Sequence, residues 1–311
     1  MSAARRVGID VGGTKCLAVA LDADGAVVGE ARRATPKGPA AIIDTLVELA
    51  TELGPAATLG VGVPGLVTRD GTLRAAPNLV DISDFQVGSL LRDRLGTDVE
   101  VDNDATCAAV AEWQLGAGRG ADDMVMVTLG TGIGGGIVAN GRLVRGINGF
   151  AGEIGHMVID PNGPPCPCGR RGCWERYASG SGLGRLARDA AAAHRLDAVV
   201  AMAGGVDQVR GEHVAEAARQ GDAAAMEVCD EFGRWVALGL VNLANVLDPG
   251  LFVLGGGLAA SVDLFGEPIT RWFGELLYAP HLRPHPRLVF ADMAERAGAI
   301  GAALLPGVHR P

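Results

Sequence analysis

The chain has 311 residues, 48% of them hydrophobic, and a formal charge of −9. That length accommodates about two domains, and the acidity argues against a general nucleic-acid or membrane surface, since both reward clustered Lys and Arg. The 47 glycines are about twice the usual share of roughly 7%, without a collagen period or a low-complexity run, so tight turns and close backbone approaches are expected.

At the start, MSAARRVGIDVGGT lacks the apolar stretch of a secretory signal, because Asp10 follows closely on Arg5 and Arg6. No apolar run approaches the ~20 residues that span a bilayer. A cytoplasmic protein is therefore expected, in a compartment where disulfides are rare. RRVGID reads as a strand, VGGTK as a glycine loop and CLAVALD as a second strand. Asp24-Gly25 then signals a hairpin into a third strand, AVVGEARRA.

The same order recurs 118 residues on, counting from Gly12 to Gly130: MVMVTL, the loop GTGIGG, the strand GIVA, the turn Asn140-Gly141 and the strand RLVRG. One glycine loop can serve merely as a tight hairpin. Two at equivalent places in a repeated pattern point to a pair of anion-binding backbone concavities, with Thr14 and Thr131 adding hydroxyls. Neither loop fits GxxxxGK[ST] or a dinucleotide fingerprint in a strand-to-helix setting.

VEVDNDATCAAVAEWQLGA (99–117) reads as a short strand, a polar loop and an Ala-rich helix. In an extended VDNDAT, Asp102 and Asp104 point to opposite sides; one can face a cleft while the other caps the helix or meets solvent. A carboxylate in a closed cleft can accept a proton from a substrate hydroxyl. The boundary between two α/β halves is expected near Gly116–Gly120, giving a small domain 1–117 and a larger one 118–297. The last helix, near 294–305, can pack on either half, and 298–311 is a candidate to join the first.

GFAGEIGHMVID sets Glu153 and His156 three residues apart, on one face of a helical turn. CPCGRRGCWE (166–175) follows, and by itself suits a disulfide loop, a metal knuckle or a basic turn. The expected reducing compartment disfavours a bridge. His156 with Cys166, Cys168 and Cys173 matches a closed tetrahedral zinc site, although the CxC and Cx4C spacings are tighter than in the commonest paired knuckles. Four protein ligands leave no position for a catalytic water, so the metal is read as structural. Cys16, Cys107 and Cys229 are isolated among small or apolar residues and are expected in the core. Residues 180–245 are Ala-rich and helical, and LFVLGGGLAASVDLF (251–265) reads as strand, glycine loop and helix.

These pieces resemble the ROK family of sugar kinases and repressors, within the actin-like ATPase and hexokinase superfamily. The matching stretches run in order from residue 10 to 259: DVGGTK, GVPG (62–65), APNL (76–79), DNDA (102–105), LGTGIGGG, GFAGEIGHM, CPCGRRGCWERYASG and VLGGGLA. The run from GEIGH through GCWE is the most specific, and it looks most like the ATP-dependent glucokinase branch. The resemblance implies an α/β, two-lobed actin-like ATPase/hexokinase (ribonuclease H-like) fold with duplicated βββαβα-type halves and an interlobe cleft. It implies transfer of the ATP γ-phosphate to the 6-hydroxyl of glucose, with Asp104 as general base.

Gly65, Asn78, Asn103, Asp104, Glu153, His156 and Glu175 would then hold the sugar. Gly12, Gly13, Thr14, Gly130, Thr131 and Gly132 would hold ATP phosphates, Gly256 and Gly257 would lie against adenosine, and Asp10 would sit near Mg2+. His156, Cys166, Cys168 and Cys173 would bind structural Zn2+. A homodimer or homotetramer is expected from the family, without nucleic-acid or membrane partners. Two positions depart from the family's common pattern: Asp102 where Glu is frequent, and Thr106 where Asn is frequent. Lys15 is given no role. Related readings are a kinase for fructose, mannose or an N-acetylhexosamine, a polyphosphate-using glucokinase, and a sugar-sensing repressor. The repressors carry a DNA-binding module ahead of the kinase-like part, and nothing basic and helical is seen before Asp10.

Overall fold

Val7, Ile9 and Val11 are each inaccessible to solvent, and so is nearly every residue from Cys16 to Leu21. Strands buried on both faces need cover on both faces, and helices supply it. The structure is a computed structural model that describes residues 5–76 and 83–308. Its first half runs β1 (Arg5–Val11), β2 (Lys15–Leu21), β3 (Val27–Ala34), α1 (Pro39–Glu52), β4 (Ala56–Val63), β5 (Leu66–Val67), β6 (Leu73–Ala75), β7 (Ser83–Phe85), α2 (Val87–Leu95), β8 (Val99–Asn103) and α3 (Asp104–Leu115). The second runs β9 (Met124–Leu129), β10 (Ile133–Ala139), β11 (Arg142–Leu143), α4 (Glu175–Ala178), α5 (Gly180–Ala192), α6 (Asp197–Ala203), α7 (Gly211–Arg219), α8 (Ala223–Leu247), β12 (Leu251–Gly255), α9 (Val262–Leu276), β13 (Arg287–Phe290) and α10 (Ala297–Val308).

The repeat seen in the sequence is a repeat in space. One five-stranded sheet has the order β3-β2-β1-β4-β8 and the other β11-β10-β9-β12-β13. In the first, β1, β2 and β3 form an antiparallel meander, and β4 and β8 add in parallel. The second repeats that order, with β13 parallel to β12. The Asn140-Gly141 turn has φ of 52° and 66°, the paired left-handed conformation that a two-residue hairpin requires and that Asn-Gly tolerates best. The third strand after it is shorter than RLVRG suggested, spanning only Arg142–Leu143.

The chain divides into two compact units. One is built from residues up to Met126, Gly135–Gly152 and the segment from Ala291; the other from Val127–Gly134 and Glu153–Phe290. In the first unit, α10 lies directly on the sheet, because glycines remove the side chains between them. A methyl at Gly8 would fall 2.0 Å from Ala299 O, and one at Gly60 only 1.7 Å from Ala302 O. On the facing side, a methyl at Gly301 would fall 1.6 Å from Cys107 O of α3. The Ala/Gly-rich composition of the last helix is thus a packing requirement. Cys16, Cys107 and Cys229 are buried as expected. Among the described residues no helix is long and apolar enough to cross a membrane.

Candidate active site

In the first unit the turn Gly12–Thr14 joins β1 to β2. Gly12 N–H donates to Lys15 O at 2.9 Å, and Thr35 holds the turn from β3's end. Thr35 Oγ1 donates to Gly12 O at 2.6 Å, and Thr35 N–H to Thr14 O at 3.1 Å. The Lys15 ammonium turns to Glu295, 2.6 Å away, with both side chains about half exposed.

Asp10 lies beside this turn. A methyl at Gly298 would sit 2.7 Å from Asp10 Cγ, and one at Gly62 would sit 3.5 Å from both Asp10 Oδ1 and Asp104 Cα. Asp10 and Asp104 thus border the same glycine. Burial first, and then repulsion from Asp104, pushes the Asp10 carboxyl up to about 7, with Lys15 pulling the other way. Paired carboxyls of this kind suit a hard divalent cation, which takes oxygen ligands and relieves their repulsion.

Asp104 opens α3, and its Oδ1 accepts the Ala105 N–H at 2.8 Å. The sequence offers an Asn or Asp of the DND run to cap this helix, and the cap is Asn103. Its Oδ1 accepts from Ala105 N–H and Thr106 N–H at 2.9 and 3.1 Å, and its Nδ2 donates to Gly65 O at 3.1 Å. Both lone pairs of that oxygen are taken, so what Asn103 can still offer a ligand is the second N–H of its amide. Gly65 has φ +105°, and a methyl there would lie 2.1 Å from Ala75 O; only glycine fits. Asn78 lies outside the described residues.

Asp102 is 1% exposed and pairs with Arg145, itself 11% exposed, across 2.8 Å. Asp102 Oδ1 also accepts the Asn103 N–H at 2.8 Å. Sequence reading assigned nothing to Arg145, because its partner is 43 positions away (145 − 102) and no local pattern announces it. Arg145 begins a loop tied down at several points: Ala151 N–H donates to Arg145 O at 3.1 Å, and Arg69 Nε–H to Gly146 O at 2.9 Å.

In the second unit, a bridge between Val158 and Cys173 and the bond from Trp174 N–H to Met157 O, 2.8 Å, lay two segments side by side. His156, at the end of the 3-10 turn Ile154–His156, thereby meets the cysteine loop. Cys166 N–H donates to Arg170 O at 2.8 Å, and Gly169 N–H to Cys166 O at 3.0 Å, so Arg170 and Arg171 are exposed turn residues of a knuckle. Cys168 Sγ and Cys173 Sγ are 3.5 Å apart, Cys166 Sγ is 3.9 Å from His156 Nδ1, and the four ligand atoms all lie within 4.8 Å of one another. Tetrahedral zinc with bonds of about 2.3 Å needs ligand atoms about 3.8 Å apart, so the donors and spacings fit. Burial pushes the Cys166 thiol up, so metal binding must displace its proton.

Glu153 and Glu175 flank the histidine: Glu153 Oε2 is 3.9 Å from Nε2, and Glu175 Oε1 is 3.8 Å from Nδ1. Behind them is a support that the sequence did not announce. Trp174 is wholly buried, its indole N–H donates to Trp235 O at 2.9 Å, and a methyl at Gly239 would lie 1.9 Å from its ring. The available signal was a glycine inside the buried helix VALGLVNLANVLD, a mark of close approach. Tyr177 Oη donates to Asp160 Oδ2 at 2.7 Å and braces the other side of the knuckle.

The second glycine turn closes with Gly130 N–H donating to Gly132 O at 3.0 Å. Gly130 O accepts from Gly180 N–H and Thr131 O from Ser181 Oγ, both at 2.8 Å. A methyl at Gly132 would reach 2.8 Å from Glu175 Oε2, so the turn and that glutamate are immediate neighbours. Gly256, at φ +83°, rests on Leu129, where a methyl would lie 2.6 Å from Leu129 O. Gly257 next to it faces open space and starts the 3-10 turn Gly257–Ser261 that leads into α9.

The chain is 38% identical over 304 residues to a glucokinase of Streptomyces coelicolor, covering 96% of both proteins. It is similar to the crystal structure of a ROK family glucokinase from Streptomyces griseus in complex with glucose and AMPPNP, with a TM-score of 0.85, 38% identity, and 97% and 98% of the two chains covered. A ROK hexokinase from Thermus thermophilus matches with a TM-score of 0.82 and 34% identity over 96% of this chain and 97% of that one. These neighbours carry the actin-like ATPase fold, which this chain shares. The ROK family description matches residues 6–307, so the chain belongs to the ROK family.

Proposed function

We propose that this chain is an ATP-dependent glucokinase, giving glucose 6-phosphate and ADP. The observation that carries this reading is the near-full-length likeness, at 38% identity, to a glucokinase whose structure is in complex with glucose and AMPPNP. The residues supply the parts that phosphoryl transfer needs, which are positioning and charge stabilisation more than covalent chemistry.

In this reading Asp104 accepts the proton of the 6-hydroxyl as its oxygen attacks the γ-phosphorus. Its bond to Ala105 N–H orients the carboxylate for that task. Asn103, through its remaining amide N–H, and Asn78, Glu153, His156 and Glu175 hold the other hydroxyls, with Gly65 lining the pocket. Gly12–Thr14 and Gly130–Gly132 present backbone N–H groups to the phosphates, and Gly256 and Gly257 lie against adenosine. Magnesium near Asp10 would offset phosphate charge. Zinc on His156, Cys166, Cys168 and Cys173 would hold the segments carrying Glu153 and Glu175, with no part in the chemical step. A homodimer or homotetramer is proposed from family membership, and light scattering of the purified protein tests it.

The ROK hexokinase likeness supports a second reading, in which the acceptor is a different or broader set of hexoses. A coupled assay decides, with glucose, fructose, mannose and N-acetylhexosamines as acceptors and ATP or polyphosphate as donor. The highest kcat/KM is expected for glucose with ATP. A markedly higher value for another sugar, or for polyphosphate, overturns the assignment.

A further inference from the structure

The two glycine turns share a feature that their sequences do not contain. In each, two carbonyls are held from outside by a pair of donors. Thr35 supplies both at the first turn, through Oγ1 to Gly12 O and N–H to Thr14 O. Gly180 N–H and Ser181 Oγ supply them at the second, to Gly130 O and Thr131 O. In a planar trans peptide the C=O and the following N–H point in opposite directions. Fixing Gly12 O toward Thr35 therefore turns the Gly13 N–H the other way. Fixing Gly130 O and Thr131 O toward the start of α5 likewise turns out the N–H groups of Thr131 and Gly132. Glycine-rich turns are the most easily reoriented backbone, so without such anchors these peptides would sample flipped states in which a carbonyl replaces the donor.

We infer that Thr35 and Ser181 are positioning residues for nucleotide binding: each locks the peptide planes of one glycine turn so that its amides face the ATP phosphates. The inference rests on the reading of both turns as phosphate sites. It gives the second turn a continuous mechanical link as well. Cys173 lies in the knuckle, Glu175 follows it, Ser179 Oγ donates to Glu175 O at 2.6 Å while accepting the Gly182 N–H at 3.2 Å, and Ser181 reaches the turn. One nine-residue segment, 173–181, thus runs from proposed zinc ligand to proposed sugar ligand to phosphate turn.

The test uses the whole protein in steady-state kinetics and in AMPPNP titration, with Thr35→Val and Ser181→Ala. Ser181→Ala removes one side-chain hydrogen bond, and Thr35→Val removes the bond to Gly12 O together with the weak 3.6 Å contact to Cys16 Sγ, so KM for ATP and Kd for AMPPNP should each rise about fivefold, while KM for glucose stays near the parent value. Among the described residues Thr35 and Ser181 share no protein partner, so the double variant should show roughly the product of the single effects. Thr35→Ser and Ser181→Thr keep the hydroxyl and should restore nucleotide affinity. Equal losses for glucose and ATP, or unchanged nucleotide affinity in both single variants, would overturn the inference. Should a variant fail to fold, amide NMR of the parent protein still decides: resonances of Gly13, Thr131 and Gly132 must shift on adding AMPPNP, and their indifference refutes the assignment. A parent protein that neither binds AMPPNP nor consumes ATP defeats the kinase reading itself, which is a separate result.

Discussion

Replacing Arg145 with Met tests whether the buried pair behind the proposed base is a structural necessity. Asp102 is 1% exposed and Arg145 11%, with Nε and Oδ2 2.8 Å apart, so neither charge has much water to fall back on. Removing one member of such a pair strands the other in a poorly solvated place, which typically costs about 3–5 kcal/mol. Here the carboxylate keeps the Asn103 N–H bond, which offsets part of the loss and places the expected cost near 3 kcal/mol, at the low end of that range. Adding Asp102→Asn removes the stranded charge, so the double variant should recover at least half of the deficit. Urea denaturation followed by circular dichroism measures both. Because Asp102 lies two residues before Asp104 and Arg145 begins the tied loop 145–151, kcat should fall in Arg145→Met as well. A single variant as stable as the parent, or a double variant no better than the single, would show that the pair is not the buried charge couple that its geometry describes.

Asp104→Asn should lower kcat by about 10²–10⁴-fold while glucose binding, read by calorimetry, persists; near-parent turnover would remove Asp104 from the role of base. Cys168→Ser should lose bound zinc, measured by elemental analysis, and should weaken or abolish glucose phosphorylation; a metal-free variant with unchanged KM, kcat and melting temperature would make the knuckle incidental. Burial and Asp104 raise the Asp10 carboxyl from 3.8 to about 7 in the fold, so the parent's stability without magnesium should be greatest below about pH 4 on this account and fall as pH rises through 7. Asp10→Asn removes that loss and should gain on the parent by up to about 4 kcal/mol at pH 8, less where solvent reaches the carboxyl, and should show no such gain at pH 4. Parallel stability–pH curves would contradict it.

Much of this molecule is local chemistry, and local chemistry is legible in sequence. Asn140-Gly141 can be read as a turn because two left-handed residues are costly for most side chains, and the repeated strand–glycine–strand order foretells two sheets of identical strand order. The cysteine spacing foretells the knuckle because its turn, Cys166 to Arg170, is closed by near neighbours in the chain. The helix start at Asp104 is half legible: an Asx cap is foreseeable there, but DND offers three candidates. Only the structure shows that Asn103 takes the cap while Asp102 goes inward to Arg145. What the sequence withholds is the set of partners joined across long stretches of chain. Thr35 at Gly12, Ser181 at Thr131 and Arg145 at Asp102 are ordinary residues in their own segments, and Gly239 marks a close approach without naming Trp174; all acquire meaning when the fold supplies the other half of each contact.

That division bears on how the proposed zinc would act. The knuckle is braced without the metal: Trp174 is seated against Gly239, Tyr177 is bonded to Asp160, and the backbone bridge between Val158 and Cys173 uses no thiol. Losing zinc would therefore leave the two segments adjacent while releasing the side chains at their tips. Those tips carry His156 between Glu153 and Glu175, with Gly132 pressed against Glu175. Freedom there would reach the proposed sugar ligands and the second phosphate turn together. Loss of a metal that takes no part in the chemistry would then raise KM for both substrates, whereas loss of the Ser181 hydroxyl would raise it for ATP alone.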